Sequence, residues 1–236
     1  MSQPPDADFS SLTPPHGELK VVPDVPGAFA ALVAAEITSN AASPELFRIA
    51  LSGGETARAA YERLAAVESI DWDDVACFLG DERCVPPDDE AANQRLVRET
   101  LLDKIAGRPH FYEMDCERLD RYSDLLRSFP GFDVIHLGLG PDGHTASLFP
   151  GSEGLHPLPG SLVVRNFDPS GRNPYDRLTL TFEAISKAKL VVFTVAGAAK
   201  HDALSRVLAG EELPAARVDA ERVVWLCDAE AIRGPQ

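Results

Sequence analysis

Short, nearly unbroken apolar runs separated by stretches of helical periodicity are the feature that most constrains this chain. Residues 75–79 read VACFL, residues 132–137 read FDVIHL and residues 190–195 read LVVFTV. A strand with no polar face must be covered on both sides. A parallel sheet with helices on both faces provides that cover. Further strands are expected at 19–22, 46–51, 110–114, 161–165, 177–181 and 222–226. Helices are expected at 26–37, 56–66, 92–105, 118–129 and 197–208. Residues 80–90 read as a polar loop. The polar, Pro-rich residues 1–17 read as a tail, and 18–236 as a single α/β domain.

Composition narrows the function classes. The chain has 236 residues, 44% hydrophobic and 25% charged, close to the globular average, so wholesale disorder is not expected. A formal charge of -15 and a pI near 4.7 oppose long-range attraction to nucleic acid or anionic membrane. No apolar run reaches the eighteen residues a membrane-spanning helix needs. The first residues lack the basic-then-apolar order of a signal peptide. None of Cys77, Cys84, Cys116 and Cys227 forms a C-x-x-C pair or fits a zinc spacing. Cys77 and Cys227 lie in apolar runs, so buried free thiols and a reducing, cytoplasmic compartment are expected. The expected oligomeric state is a monomer.

Ligands in an open α/β sheet bind beyond the carboxyl ends of the strands, and four such ends carry unusual residues. Ser52-Gly53-Gly54-Glu55-Thr56 runs from a strand through two glycines into a helix. Glycine admits close approach to the main chain, and the helix start offers unpaired N–H groups and a positive dipole end. That is a phosphate cradle to which Ser52 and Thr56 add hydroxyls. The alternative is an ordinary turn with Thr56 as N-cap.

Residues 138–144, GLGPDGH, contain G-x-G-x-x-G, but the prolines at 150, 157 and 159 break the compact unit a dinucleotide fold requires. Their informative part is Asp142-Gly143-His144. A neutral imidazole accepts a proton from water at cellular pH, and a neighbouring carboxylate can orient the ring. The other histidines read as structural. Asp81 and Arg83 follow another strand, where Arg83 offers a planar clamp for an anion. Lys200 sits near a helix start, where only a bound anion favours a cation, and Arg177 opens a strand.

Together these segments resemble the 6-phosphogluconolactonase family. Residues 138–151 carry the most specific match, followed by 81–86 with Asp88 and Asn93, then 52–54, 177–181 and 197–200, in the family's order. The resemblance implies a glucosamine-6-phosphate deaminase-like α/β fold and hydrolysis of a sugar-phosphate lactone without cofactor or metal. It implies His144 as base, Asp142 as its orienting partner, and Ser52, Gly53, Gly54, Thr56, Asp81, Arg83, Arg177 and Lys200 as substrate contacts. Three positions depart from the family's habit: Glu55 and Ala57 after the glycines, and Ala92 before Asn93. Related deaminases carry an acidic residue shortly after the histidine, where this chain has Ser147-Leu148-Phe149. The residues therefore favour a lactonase over a sugar-phosphate isomerase or deaminase. A non-catalytic sugar-phosphate sensor is the rival from another class. It would need a DNA-binding segment that the chain has no room for before Leu19.

Overall fold

The structure is a computed structural model in which residues 13–234 are described. Most of the expected tail, residues 1–12, lies outside them. In chain order the elements are β1 (Glu18–Val21), α1 (Val25–Asn40), β2 (Phe47–Leu51), α2 (Glu55–Ala65), β3 (Val75–Leu79), β4 (Asp81–Arg83), α3 (Asn93–Val97), β5 (His110–Phe111) and α4 (Leu119–Arg127). There follow β6 (Val134–Gly138), β7 (Val163–Asn166), β8 (Arg177–Leu180), α5 (Phe182–Ser186), β9 (Leu190–Val195), α6 (His201–Leu208), β10 (Val223–Cys227) and α7 (Ala229–Arg233).

Seven strands form one sheet in the order β1-β10-β9-β6-β2-β3-β5, with every pairing parallel. Every residue of β3, β9 and β10 is buried, as their apolar runs require. Phe193 and Trp225 stack face to face between neighbouring strands, with centroids 3.7 Å apart. α1 starts with the Asp24 side chain accepting from the Gly27 N–H, and its Pro26 sits in the first turn, where a missing N–H costs nothing.

The strand order places the site. From β2 the chain moves to β3 on one side, and from β6 it moves to β9 on the other. The loops after β2 and β6 therefore diverge and leave a crevice between adjacent strand ends, where ligands of such sheets bind.

Three expectations are corrected. Residues 80–90 are not all loop: β4 pairs antiparallel with β8, and β8 with β7, in a second small sheet. Gly80 joins the two sheets, donating to Leu51 O at 2.8 Å and accepting from Leu180 N at 2.9 Å. The helix expected at 92–105 is α only to Val97, and residues 98–102 widen into a π-type turn. The expected reducing compartment rests on Cys77 and Cys227, which are buried thiols as expected, but Cys84 and Cys116 form a disulfide. That bond removes the cysteine argument for a reducing compartment. No described helix is long and apolar enough to cross a membrane.

Candidate active site

The strand ends converge on one cleft. Ser52, Gly53, Gly54, Thr56, Asp81, Arg83, His144, Arg177 and Lys200 all line it. Asp142, the remaining predicted residue, stands behind His144.

One wall is the turn from β2 into α2. Gly54 is the N-cap, with φ +98° and no side-chain cap, so Thr56 lies inside the first turn and is not the N-cap of the alternative reading. A left-handed φ here suits glycine and turns the chain sharply into the helix. Among the described residues, no hydrogen bond is made by the N–H groups of residues 53–56. Glu55 is exposed at the rim of the cleft.

The facing wall comes from the small sheet. The β4–β8 register sets Asp81 opposite Thr179 and Arg83 opposite Arg177. Asp81 is buried with one bond on each oxygen: Oδ1 accepts from Asn93 Nδ2 at 3.2 Å and Oδ2 from Ser147 Oγ at 2.5 Å. Glu82 is not a solvated loop charge but a buried carboxyl. Burial pushes it up to about 7, against the pull of the Asn93, Gln94 and Arg83 N–H groups that it accepts. It anchors α3 from the side away from the cleft.

Arg83 Nη1 donates to Ala91 O, and its buried Nε has no protein acceptor. Lys200 Nζ donates to Leu139 O at 2.8 Å. Burial lowers the pKa of Lys200, and burial together with the nearby Arg83 lowers that of Arg177, although Asp81 opposes the shift. Arg83 and Arg177 lie within each other's reach in a strongly acidic protein, a repulsion that an anion between them would relieve.

His144 rises from the loop after β6. Its Nδ1 lies 2.5 Å from Asp142 Oδ1, which also accepts the His144 N–H at 3.1 Å. Burial opposes ionisation of Asp142, but the hydrogen bonds and charge of His144 prevail and hold its carboxyl below the usual range. A carboxylate only accepts, so Nδ1 carries a proton, and in the neutral form of the ring the lone pair is on Nε2. No described residue bonds that Nε2. Gly140 is required beneath the ring, because a Cβ there would lie 2.2 Å from the imidazole. Ala146 is the one described non-glycine residue with positive φ, at 47°. The buried Phe149 ring packs 5.0 Å from the imidazole, so the segment after His144 places no second acid or base beside it.

Sequence reasoning missed other lining residues. Asn173 reaches the cleft from the loop before β8 because Asp168 gathers that loop, accepting from Ser170 N, Ser170 Oγ, Asn173 N and Asn173 Nδ2. His136 and Thr194 form the floor. Asp168 gave a faint signal as an Asx-turn residue before a Ser and an Asn, whereas nothing in the sequence marked His136 beyond its place in a core strand. Among the described residues no three His, Cys, Asp or Glu side chains gather as a metal site.

The profile described as glucosamine-6-phosphate isomerases/6-phosphogluconolactonase matches residues 24–225. This chain belongs to that family. A 6-phosphogluconolactonase of Synechocystis sp. is 36% identical over 219 residues, covering 84% of this chain and 89% of its own. The crystal structure of the Thermotoga maritima 6-phosphogluconolactonase superposes with a TM-score of 0.76 at 30% identity, covering 89% of this chain and 98% of its own. A monomeric glucosamine-6-phosphate deaminase superposes with a TM-score of 0.74 at 20% identity, covering 92% and 98%. The family's shared fold therefore does not separate lactone hydrolysis from deamination, and the side chains around His144 must do so.

Proposed function

We propose that this chain hydrolyses 6-phospho-D-glucono-1,5-lactone to 6-phospho-D-gluconate. The observation that carries the proposal is His144, with Nδ1 held by Asp142 and Nε2 unpartnered, beside a cleft that unbonded loop amides line on one side and Arg83 and Arg177 on the other. The phosphoryl group sits on the N–H groups of residues 53–56, with the Ser52 and Thr56 hydroxyls and with Arg83, Arg177 and Lys200 supplying positive charge. Asp81, held by Asn93 and Ser147, sets the spacing of that wall and accepts from a sugar hydroxyl.

His144 Nε2 takes a proton from a water as its oxygen bonds to the C1 carbonyl carbon. The carbonyl electron pair moves onto oxygen to give a tetrahedral oxyanion. Collapse restores the carbonyl, breaks the bond from C1 to the ring oxygen, and returns the proton from His144 to that oxygen. Asp142 fixes the ring and supports the imidazolium between the two transfers. A lactone is an activated ester, so one acid/base group suffices and the chemistry asks for no cofactor or metal. An isomerase or deaminase must shuttle protons between carbons. The apolar Phe149 beside His144 disfavours that reading.

The partner is thus a small sugar-phosphate lactone and not nucleic acid, consistent with the charge of -15. We place the protein in the cytoplasm as a monomer with a single domain over residues 18–236, which light scattering and limited proteolysis would check. The test of function is hydrolysis of freshly made 6-phosphogluconolactone coupled to 6-phosphogluconate dehydrogenase, with spontaneous opening subtracted. Turnover well above background that falls steeply for unphosphorylated gluconolactone supports the proposal. Binding of 6-phosphogluconate with no turnover would favour a sensor instead.

A further inference from the structure

Beneath the anion-binding loop lies a buried polar chain that the proposed reaction does not use. Tyr61 belongs to α2, the helix that the loop feeds, and its phenol folds back onto the loop's first residue. Tyr61 Oη accepts from Ser52 N at 2.6 Å and lies 3.1 Å from Ser52 O. The same oxygen is 2.8 Å from His136 Nδ1, and His136 Nε2 is 2.8 Å from Thr194 Oγ1. Tyr61 and His136 are fully buried, Thr194 is 2% exposed and Ser52 is 7% exposed. Phe29 covers the imidazole, with ring centroids 4.2 Å apart.

A buried histidine and tyrosine in an apolar shell carry a desolvation cost, so their polar atoms must be matched. Here that matching converges on one backbone unit. Burial drives His136 down to about 3 and Tyr61 well above its ordinary value, so both stay neutral and the chain does not titrate in the working range. Tyr61 occupies both main-chain polar groups of Ser52, where β2 ends. The main chain of Ser52 is held inward while the residue still lines the cleft, and the next four N–H groups make no hydrogen bond to described protein atoms.

We propose that Tyr61 and His136 are positioning residues for the anion-binding loop, locking Ser52 so that the amides of residues 53–56 are preset for a phosphoryl group. This rests on the reading of that loop as the phosphate cradle, and neither residue touches the reacting atoms. Preset donors bind tightly because no ordering cost remains to be met on binding.

Calorimetric titration with 6-phosphogluconate, beside lactone turnover, tests this in Tyr61→Phe and Thr194→Val. Loss of the two Ser52 contacts should raise the dissociation constant and KM roughly tenfold, with kcat at saturation little changed. Thr194→Val, which cuts the far end of the chain, should do the same more weakly. His136→Asn keeps an amide near the Nδ1 position and should restore part of the affinity lost in His136→Phe. A merely structural role would lower the melting temperature without moving affinity at 25 °C, and that result, or a loss confined to kcat, overturns the proposal. Because binding is read without turnover, a wild-type protein that binds 6-phosphogluconate but hydrolyses nothing sinks the lactonase reading alone. A wild-type protein that does not bind it overturns both. Should Tyr61→Phe fail to fold, the Thr194→Val and His136→Asn titrations still decide.

Discussion

Replacing Gly53 by alanine should disrupt the site through sterics alone. Gly53 does not have positive φ, so its backbone conformation is open to alanine. The added Cβ would lie 1.9 Å from Asn93 Oδ1 and 2.6 Å from Asn93 Cγ. Asn93 is buried and cannot yield freely, since its Nδ2 donates to Asp81 O at 2.8 Å and to Asp81 Oδ1 at 3.2 Å. Displacing it breaks two buried hydrogen bonds, one to a carboxylate, for a loss of about 2–4 kcal/mol. For a chain of this size that lowers the melting temperature by roughly 5–15 °C. Asn93→Ala alone should cost a similar amount, and the double variant should cost little more than Asn93→Ala, because the clash has gone. Thermal and urea unfolding of the four proteins gives the cycle. A Gly53→Ala protein that melts with the wild type, or strictly additive losses, would refute the claim that Asn93 is wedged between the proposed phosphate loop and Asp81. Gly54→Ala is the contrast: no atom lies within 4 Å of its Cβ, and any loss of about 1 kcal/mol comes from the φ of +98°.

Three further outcomes are expected. Glu55→Ser removes a carboxylate from the rim of the phosphate seat and should lower KM about two- to fivefold at low salt, the difference shrinking in 1 M salt; an unchanged KM would place Glu55 out of the substrate's field. Cys84→Ser, or reduction of the native protein, opens a cross-link spanning 32 residues and should cost about 3–4 kcal/mol, and an unshifted unfolding midpoint would show the bond absent in solution. Asp168 is held at about 2 because its hydrogen bonds to Ser170 and Asn173 outweigh desolvation. A depressed carboxyl binds its proton later in the folded state than in the unfolded one. The stability lost in Asp168→Asn, about 1 kcal/mol after screening, should therefore be full above pH 4 and vanish as pH falls toward 2. A gap independent of pH would refute that assignment.

The central strands were legible because burial on both faces leaves an unbroken apolar run: β3 and β9 begin and end where the sequence places them. β4 was hidden by its own chemistry, since Asp81-Glu82-Arg83 reads as solvated loop until β8 is brought alongside. α5 and α7 are too short for a helical period to show. The Cys84–Cys116 bond depends on a three-dimensional approach that a separation of 32 residues does not encode. Residues that line or adjoin the cleft were legible where a strand end carries glycines or charges, as at Ser52 to Gly54 and at Asp142 to His144. They were missed where a residue acts from below or from a loop: Tyr61 and His136 look like core, and Asn173 enters only because Asp168 folds its loop. The sequence also left the direction of Glu55 open, and burial answers it, since only the rim leaves that side chain in solvent.

In the proposed reaction, His144 Nε2 is the group that accepts the proton of the attacking water. The most direct measurement is the turnover number of His144→Ala on 6-phosphogluconolactone at saturation, with 6-phosphogluconate affinity measured on the same sample. We predict a loss of about 10²–10⁴-fold in kcat with affinity for the product retained, because the proposed phosphate contacts are untouched. A variant that keeps near wild-type turnover would contradict the account, and the base would have to be sought elsewhere in the cleft.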